Sequence, residues 1–184
     1  MALTPSNTFT TGTKAPDFTL LDSVCEQLKS LQDLKGEKGT VIMFICNHCP
    51  FVIHVNEQLV QLAKDYQEQG ISFIAISSND VDNYPADAPD KMKEQAKILG
   101  YPFPYLYDES QEVAKAYDAA CTPDFYVFDQ DLKSTYHGQL DSSRPGNGEP
   151  ADGKNMREAL EALLNNSEPI ENQRPSIGCG IKWK

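Results

Sequence analysis

Apolar and polar positions recur at two different periods along this chain. Thr40–Ile45 (TVIMFI) and Ile71–Ile76 (ISFIAI) are apolar, β-branched-rich runs of strand length, the pattern of strands covered on both faces in a parallel or mixed sheet. Between them, over Pro50–Gln69, Val52, Val55, Leu59, Leu62, Ala63 and Tyr66 follow one another at spacings of 3, 4, 3, 1 and 3, which traces one helical face stopped by Gly70. The order β-α-β predicts parallel neighbours joined by a right-handed crossover.

Weaker patterns surround this centre. Ala15–Asp22 (APDFTLLD) reads as a short strand with Phe18 and Leu20 on one face, Thr19 and Leu21 on the other. Leu28–Leu34 reads as a turn of helix or a loop, and Ser77–Pro89 as a polar, acidic loop. Asp90–Leu99 carries Met92, Ala96 and Leu99 on a helical stripe ended by Gly100. The two prolines of Tyr101–Tyr107 exclude helix and leave a loop entering a short strand. Gln111–Tyr117 is a short helix with Val113, Ala114 and Tyr117 facing inward, and Phe125–Phe128 with Lys133–His137 form an antiparallel hairpin. After a Gly-, Pro-, Ser- and Asn-rich loop at Asp141–Asp152, a helix over Lys154–Leu164 buries Met156, Ala159, Leu160, Leu163 and Leu164. The expected architecture is a single α/β domain over residues 1–184 with a central mixed sheet, residues 165–184 being an irregular tail.

Composition narrows the partners. Sixteen Lys and Arg stand against 27 Asp and Glu in 184 residues, a formal charge of −11, which excludes a nucleic-acid binder working through a basic face. A chain this long buries roughly 70% of its unfolded surface, so the core needs no staples. The five cysteines, at 25, 46, 49, 121 and 179, are odd in number and too sparse for a secreted disulfide framework. The longest apolar run, Val41–Ile45, falls far short of the ~20 residues of a membrane helix, and Met1–Thr13 has neither Lys or Arg nor an apolar stretch. A cytoplasmic protein without membrane or nucleic-acid partners is expected; oligomeric state is not legible.

The chemistry concentrates in Cys46-Asn47-His48-Cys49-Pro50, between the buried strand and the amphipathic helix. Two thiols at this spacing can close a disulfide, and the helix start sets free N–H groups and partial positive charge beside them, which lowers a thiol pKa. Pro50 at the first helical position makes Cys49 the N-cap and the thiol best aligned with the helix dipole. Cys46, directly after the strand, is placed to resolve a bond formed at Cys49, and His48 can add a positive charge that stabilises a thiolate. A metal site built from Cys46, His48 and Cys49, with or without Cys121, is the competing use of the same residues. A second signal is Cys121-Thr122-Pro123, immediately before a strand; a cis proline there would fix a turn that presents backbone to a bound chain.

APDFTLLD, the buried strand leading into a CxxC at a helix start, and Thr-Pro before FYVFD together resemble the thioredoxin superfamily, in its peroxiredoxin-like (AhpC/TSA- or redoxin-like) branch, from Ala15 to about Leu164. The resemblance implies a thioredoxin-like sheet with helices on both faces, a cis Pro123 packed against the redox cysteines, and Cys121 close by. It allows two registers. Cys46 and Cys49 are similar to the CxxC of thioredoxins, CNHC being like the CGHC of disulfide isomerases, which makes Cys46 the attacker. Alternatively Cys49-Pro50 resembles the Cys-Pro of peroxiredoxins and Cys49 attacks. Ile45 abuts Cys46 directly, which favours the second, with Cys49 as nucleophile and Cys46 as resolver. The chain departs from the peroxidase pattern: Cys46 stands at the Thr position, no Arg lies between Cys121 and Phe128, and Arg144 is the one arginine able to reach the site from a later loop.

The expected function is a thiol–disulfide oxidoreductase needing no cofactor, with protein or small-molecule disulfides as substrates and a thiol reductant as partner. Alternatives are a thiol peroxidase with Cys49 peroxidatic and a non-enzymatic metal-binding protein or chaperone. Among other residues, His54 and His137 are read as ordinary helix and strand residues and Cys25 as a small hydrophobe. Arg144 suits either a substrate anion or an acidic neighbour. Cys179, in Ile177-Gly-Cys-Gly-Ile181, is a packed thiol unless the tail folds back over the site. Asp80, Asp82, Asp87 and Asp90 lack calcium-loop spacing and read as a solvated loop.

Overall fold

The computed structural model describes residues 3–184, so the first two positions of the expected domain lie outside the described residues. In chain order the strands are β1 (Leu3–Pro5), β2 (Thr19–Asp22), β3 (Gln27–Ser30), β4 (Gly39–Phe44), β5 (Ile71–Ser77), β6 (Tyr105–Tyr107), β7 (Cys121–Thr122), β8 (Asp124–Asp129), β9 (Ser134–Gly138) and β10 (Ile177–Gly180). The α-helices are α1 (Leu31–Leu34), α2 (Pro50–Tyr66), α3 (Pro89–Leu99), α4 (Glu112–Ala116) and α5 (Lys154–Leu164).

A seven-stranded mixed sheet runs β3-β2-β6-β5-β4-β8-β9. β4 sits near its middle, parallel to β5 with Val41 opposite Phe73, and antiparallel to β8 with Val41 opposite Val127. Alternation along the strands sorts the core into two layers. Val41, Met43, Phe73 and Ala75 pack with Val52, Leu59 and Leu62 of α2, Met92 of α3 and Leu160 of α5. Ile42, Phe44, Ile74 and Ile76 face the other way, onto Leu31 of α1, Ala114 of α4, Tyr117 and Phe18. Both faces are covered, which is why these runs are apolar without alternation. The helix read from Pro50 ends as a 3₁₀ turn at Gln67–Gln69, and Gly70 takes the left-handed conformation at φ +90. Among the described residues, no helix is long and apolar enough to cross a membrane.

Three segments differ from their sequence reading. Gln27–Ser30 is an edge strand antiparallel to β2 rather than loop; Leu28 points to solvent and polar neighbours flank it, so the segment has no apolar period to reveal it. Ser30 then caps α1, accepting from the Asp33 N–H while the Asp33 carboxylate accepts from the Ser30 N–H. Residues 165–184 are not irregular throughout: β10 lies between β1 and β7 in a second, three-stranded sheet, antiparallel to both. The acidic loop is not simply solvated either, since Asp80 and Asp87 are buried.

Candidate active site

β4 is followed by Ile45 and the loop Cys46–Cys49, and Pro50 opens α2, which leaves Cys49 as the N-cap in extended conformation. The Cys49 sulfur is fully buried, 3.2 Å from the Thr122 carbonyl oxygen and 2.7 Å from the Cys179 sulfur. The Cys46 sulfur, also buried, lies 3.3 Å from Thr122 Oγ1. The peptide bond between Thr122 and Pro123 is cis, as the resemblance implied. Thr122 thus meets one cysteine with its hydroxyl and another with its carbonyl, and in the β7–β10 ladder it stands opposite Cys179.

These sulfurs titrate unequally. Cys49 is lowered to about 5, first by the hydrogen bond from the Cys46 thiol, with further bonds from the Cys179 thiol and from the Val52 and Cys179 N–H groups outweighing burial. Cys46 is raised well above the ordinary thiol range by that same bond, by burial and by the charge of Asp87. Cys179 is raised to about 12, chiefly by burial and then by its bond to Cys49. The negative charge is thus favoured on Cys49 rather than on Cys46 or Cys179; with its proton in place Cys49 can donate to the Thr122 carbonyl or to the Cys179 sulfur.

The loop is held by Asp87, which the sequence reading placed in a solvated acidic loop. The Asp87 carboxylate accepts from the Asn47 N–H at 2.8 Å, the His48 N–H at 3.3 Å and Asn79 Nδ2 at 2.8 Å, and meets His48 Nδ1 at 2.7 Å. The His48 ring stacks on Tyr84. His48 therefore spends its nearest ring nitrogen on Asp87, and the groups that lower Cys49 are thiols and amides. Ligand atoms of Cys46, His48 and Asp87 come within 4.8 Å of one another, so the donor set that converges differs from the one read from sequence, with Asp87 in place of Cys49 and Cys121.

The remaining sequence-marked residues are placed as follows. Cys121 adjoins the site along the chain, but its sulfur turns to the Pro123 carbonyl at 3.8 Å and burial pushes its pKa up. The Arg144 guanidinium donates to the Asp141 and Ser143 carbonyls at 2.9 and 2.6 Å and to Gln139 Oε1 at 2.6 Å, so its protein partners are neutral oxygens rather than an acidic side chain, one of its two expected uses. Arg144, His54 and Pro123 line one small cleft beside the site. His137 is buried, with Nε2 3.0 Å from Asp124 Oδ1 and its ring stacked on Tyr126. Cys25, expected to pack as a small hydrophobe, is exposed in the turn between β2 and β3, its sulfur 3.1 Å from Asp22 Oδ2. Cys179 was open to two readings; the tail does fold back over the site and sets it against Cys49.

Comparison with known proteins fits this architecture. An uncharacterized conserved protein from Geobacillus kaustophilus is 59% identical over 100% of this chain and 97% of its own, with a TM-score of 0.98. A hypothetical protein from Sinorhizobium meliloti 1021 is 45% identical over 98% of each chain, with a TM-score of 0.96. The thioredoxin domain of a thiol-disulfide oxidoreductase from Bacteroides vulgatus, 17% identical, matches 83% of this chain and 99% of its own at a TM-score of 0.64, which shows the shared fold. Comparison with the curated proteins gave no match. Residues 11–137 match the AhpC/TSA family, and the chain belongs to that thioredoxin-fold redox family.

Proposed function

We propose that the protein is a thiol–disulfide oxidoreductase whose dithiol centre is Cys46-Asn47-His48-Cys49, with Cys49 attacking and Cys46 resolving. The observation that carries this reading is the placement of Cys49 at the N-cap of α2, three residues after Cys46, and the asymmetry that goes with it: Cys49 is lowered to about 5 and Cys46 is raised well above the ordinary thiol range. At neutral pH the attacking thiolate is present and its partner holds the proton that a leaving thiolate needs. The Cys49 thiolate attacks a substrate disulfide, forming a mixed disulfide and expelling one substrate thiolate, which takes a proton from solvent. Cys46 then attacks the Cys49 sulfur, its proton going to the second substrate thiolate as that leaves. The substrate gains two electrons and two protons, and Cys46–Cys49 becomes a disulfide that a thiol reductant returns to the dithiol. A cytoplasmic location belongs to the proposal, since a reducing compartment supplies that reductant.

One observation favours peroxide as a second substrate: Cys49 is wholly buried, and a peroxide is far smaller than a protein disulfide. Attack on peroxide would give a Cys49 sulfenic acid and water, and condensation with Cys46 would release a second water. Disulfide-reductase and peroxide assays of the wild type and each single cysteine variant test both readings. Loss of disulfide reduction in Cys49→Ser is expected. A Cys49→Ser variant that still reduced disulfides would refute the assignment, and a peroxide rate no faster than that of a free thiol would remove the second reading.

A further inference from the structure

We propose that Cys179 is a second resolving thiol, which attacks the Cys49 sulfur in the mixed disulfide and closes a Cys49–Cys179 disulfide that fastens β10 over the site. The inference rests on Cys49 being the attacking thiol.

Four observations place Cys179 there. Its sulfur is 2.7 Å from that of Cys49, less than 1 Å longer than the disulfide bond of about 2.05 Å. β10 is laid down in register, with Cys179 opposite Thr122, the residue that also touches Cys46 and Cys49. Gly178 makes that approach possible: a Cβ at 178 would lie 2.0 Å from the Thr122 carbonyl oxygen and 2.6 Å from its carbon, so only glycine lets the strand come this near. Beyond the strand, Lys182 donates its N–H to Asn79 Oδ1 at 2.8 Å, and Asn79 Nδ2 bonds the same Asp87 that anchors the Cys46–Cys49 loop. One amide side chain therefore ties both thiol-bearing segments together.

The electrons balance as in the first cycle. Cys49 takes one sulfur of a substrate disulfide; Cys179 loses its proton to the departing second thiolate, bonds to the Cys49 sulfur and breaks the mixed disulfide. A dithiol reductant then reopens Cys49–Cys179. The charge on Cys49 is one of the causes holding the Cys179 proton in place, and it disappears when the mixed disulfide forms, so Cys179 becomes more acidic at the moment it is needed.

The test is peptide mass mapping without reduction, after native reduced protein is treated with bis(2-hydroxyethyl) disulfide and quenched with N-ethylmaleimide. Cys46→Ser is expected to yield a Cys49–Cys179 cross-linked peptide, and wild type to yield it together with Cys46–Cys49. In Cys46→Ser/Cys179→Ser the hydroxyethylthio adduct should accumulate on Cys49. A stable adduct on Cys49 in Cys46→Ser, with Cys179 carrying the maleimide, would overturn the proposal while leaving Cys49 as the nucleophile. Absence of the adduct from the double variant would overturn the attacking role of Cys49, and the inference with it. Gly178→Ala added to Cys46→Ser should slow cross-linking on the order of 100-fold, the cost of about an ångström of misplacement. An unchanged rate would show that docking of β10 does not set the reaction.

Discussion

Removing the Cys46 sulfur should raise the pH at which Cys49 ionises. The Cys46 thiol is the largest influence holding Cys49 at about 5, and Cys46→Ala deletes that donor while keeping a small buried side chain. A hydrogen bond to a charged acceptor contributes about 1.5–3 kcal/mol, and about 1.4 kcal/mol corresponds to one pH unit, so the midpoint should climb by about one to two units. At pH ~5.5 the thiolate fraction would fall from about three quarters to about a quarter at the small end, and to a few per cent at the large end. The assay is the ultraviolet absorbance of the thiolate across a pH titration in a Cys25→Ser background, with Cys49→Ser as the control that should lack the low-pH transition. A midpoint that does not move in Cys46→Ala, or a wild-type midpoint in the ordinary thiol range, would refute the hydrogen-bonded thiolate.

Stability should carry the same signature. The folded pKa of Cys49 lies below the unfolded value of about 8.5, so its thiolate stabilises the fold above that pH, and the contribution is lost as pH falls toward about 5. The difference in urea unfolding free energy between wild type and Cys49→Ser should therefore shrink from pH ~8 to pH ~5. Asp87→Ala strands a buried donor on Asn79 and half-buried ones on Asn47 and His48 and should cost about 3 kcal/mol, read from the urea midpoint at unchanged slope. Phe44→Ala empties a site packed on Tyr117 and Tyr126 and should cost about 3–5 kcal/mol in the same measurement. Cys25→Ser, at an exposed turn, should leave disulfide reduction at the wild-type rate.

What could be read from sequence was whatever repeats locally. β4 and β5 announce themselves as apolar runs of strand length covered on both faces and α2 by its helical period, and Pro50 locates the start of α2, hence the N-cap at Cys49. β10 has four residues, two of them glycine, and no period; it is held by β1 at the opposite end of the chain, by β7 more than 50 residues earlier, and by the space Gly178 leaves beside Thr122. The proximity of Cys179 to Cys49 is a property of that pairing. Asp87 was hidden for a related reason. A carboxylate in an acidic loop is usually solvated, and what buries this one is a set of amides about 40 residues earlier that need an acceptor. The same carboxylate redirects His48, which spacing alone places beside the thiols but whose ring bonds to Asp87. The edge strand β3 and the exposed Cys25 show the limit from the other side, since neither has a buried face to leave a pattern.

The most direct test of Cys49 as the attacking thiol is to ask which sulfur receives the substrate. Two variants, Cys46→Ser/Cys179→Ser and Cys49→Ser/Cys179→Ser, each leave a single member of the CxxC, and both are to be mixed with bis(2-hydroxyethyl) disulfide at pH ~6 and followed by intact mass. The expected result is rapid adduct formation at Cys49 in the first variant and none at Cys46 in the second. Rapid adduct at Cys46 with Cys49 inert would contradict the account and return the pair to the thioredoxin register.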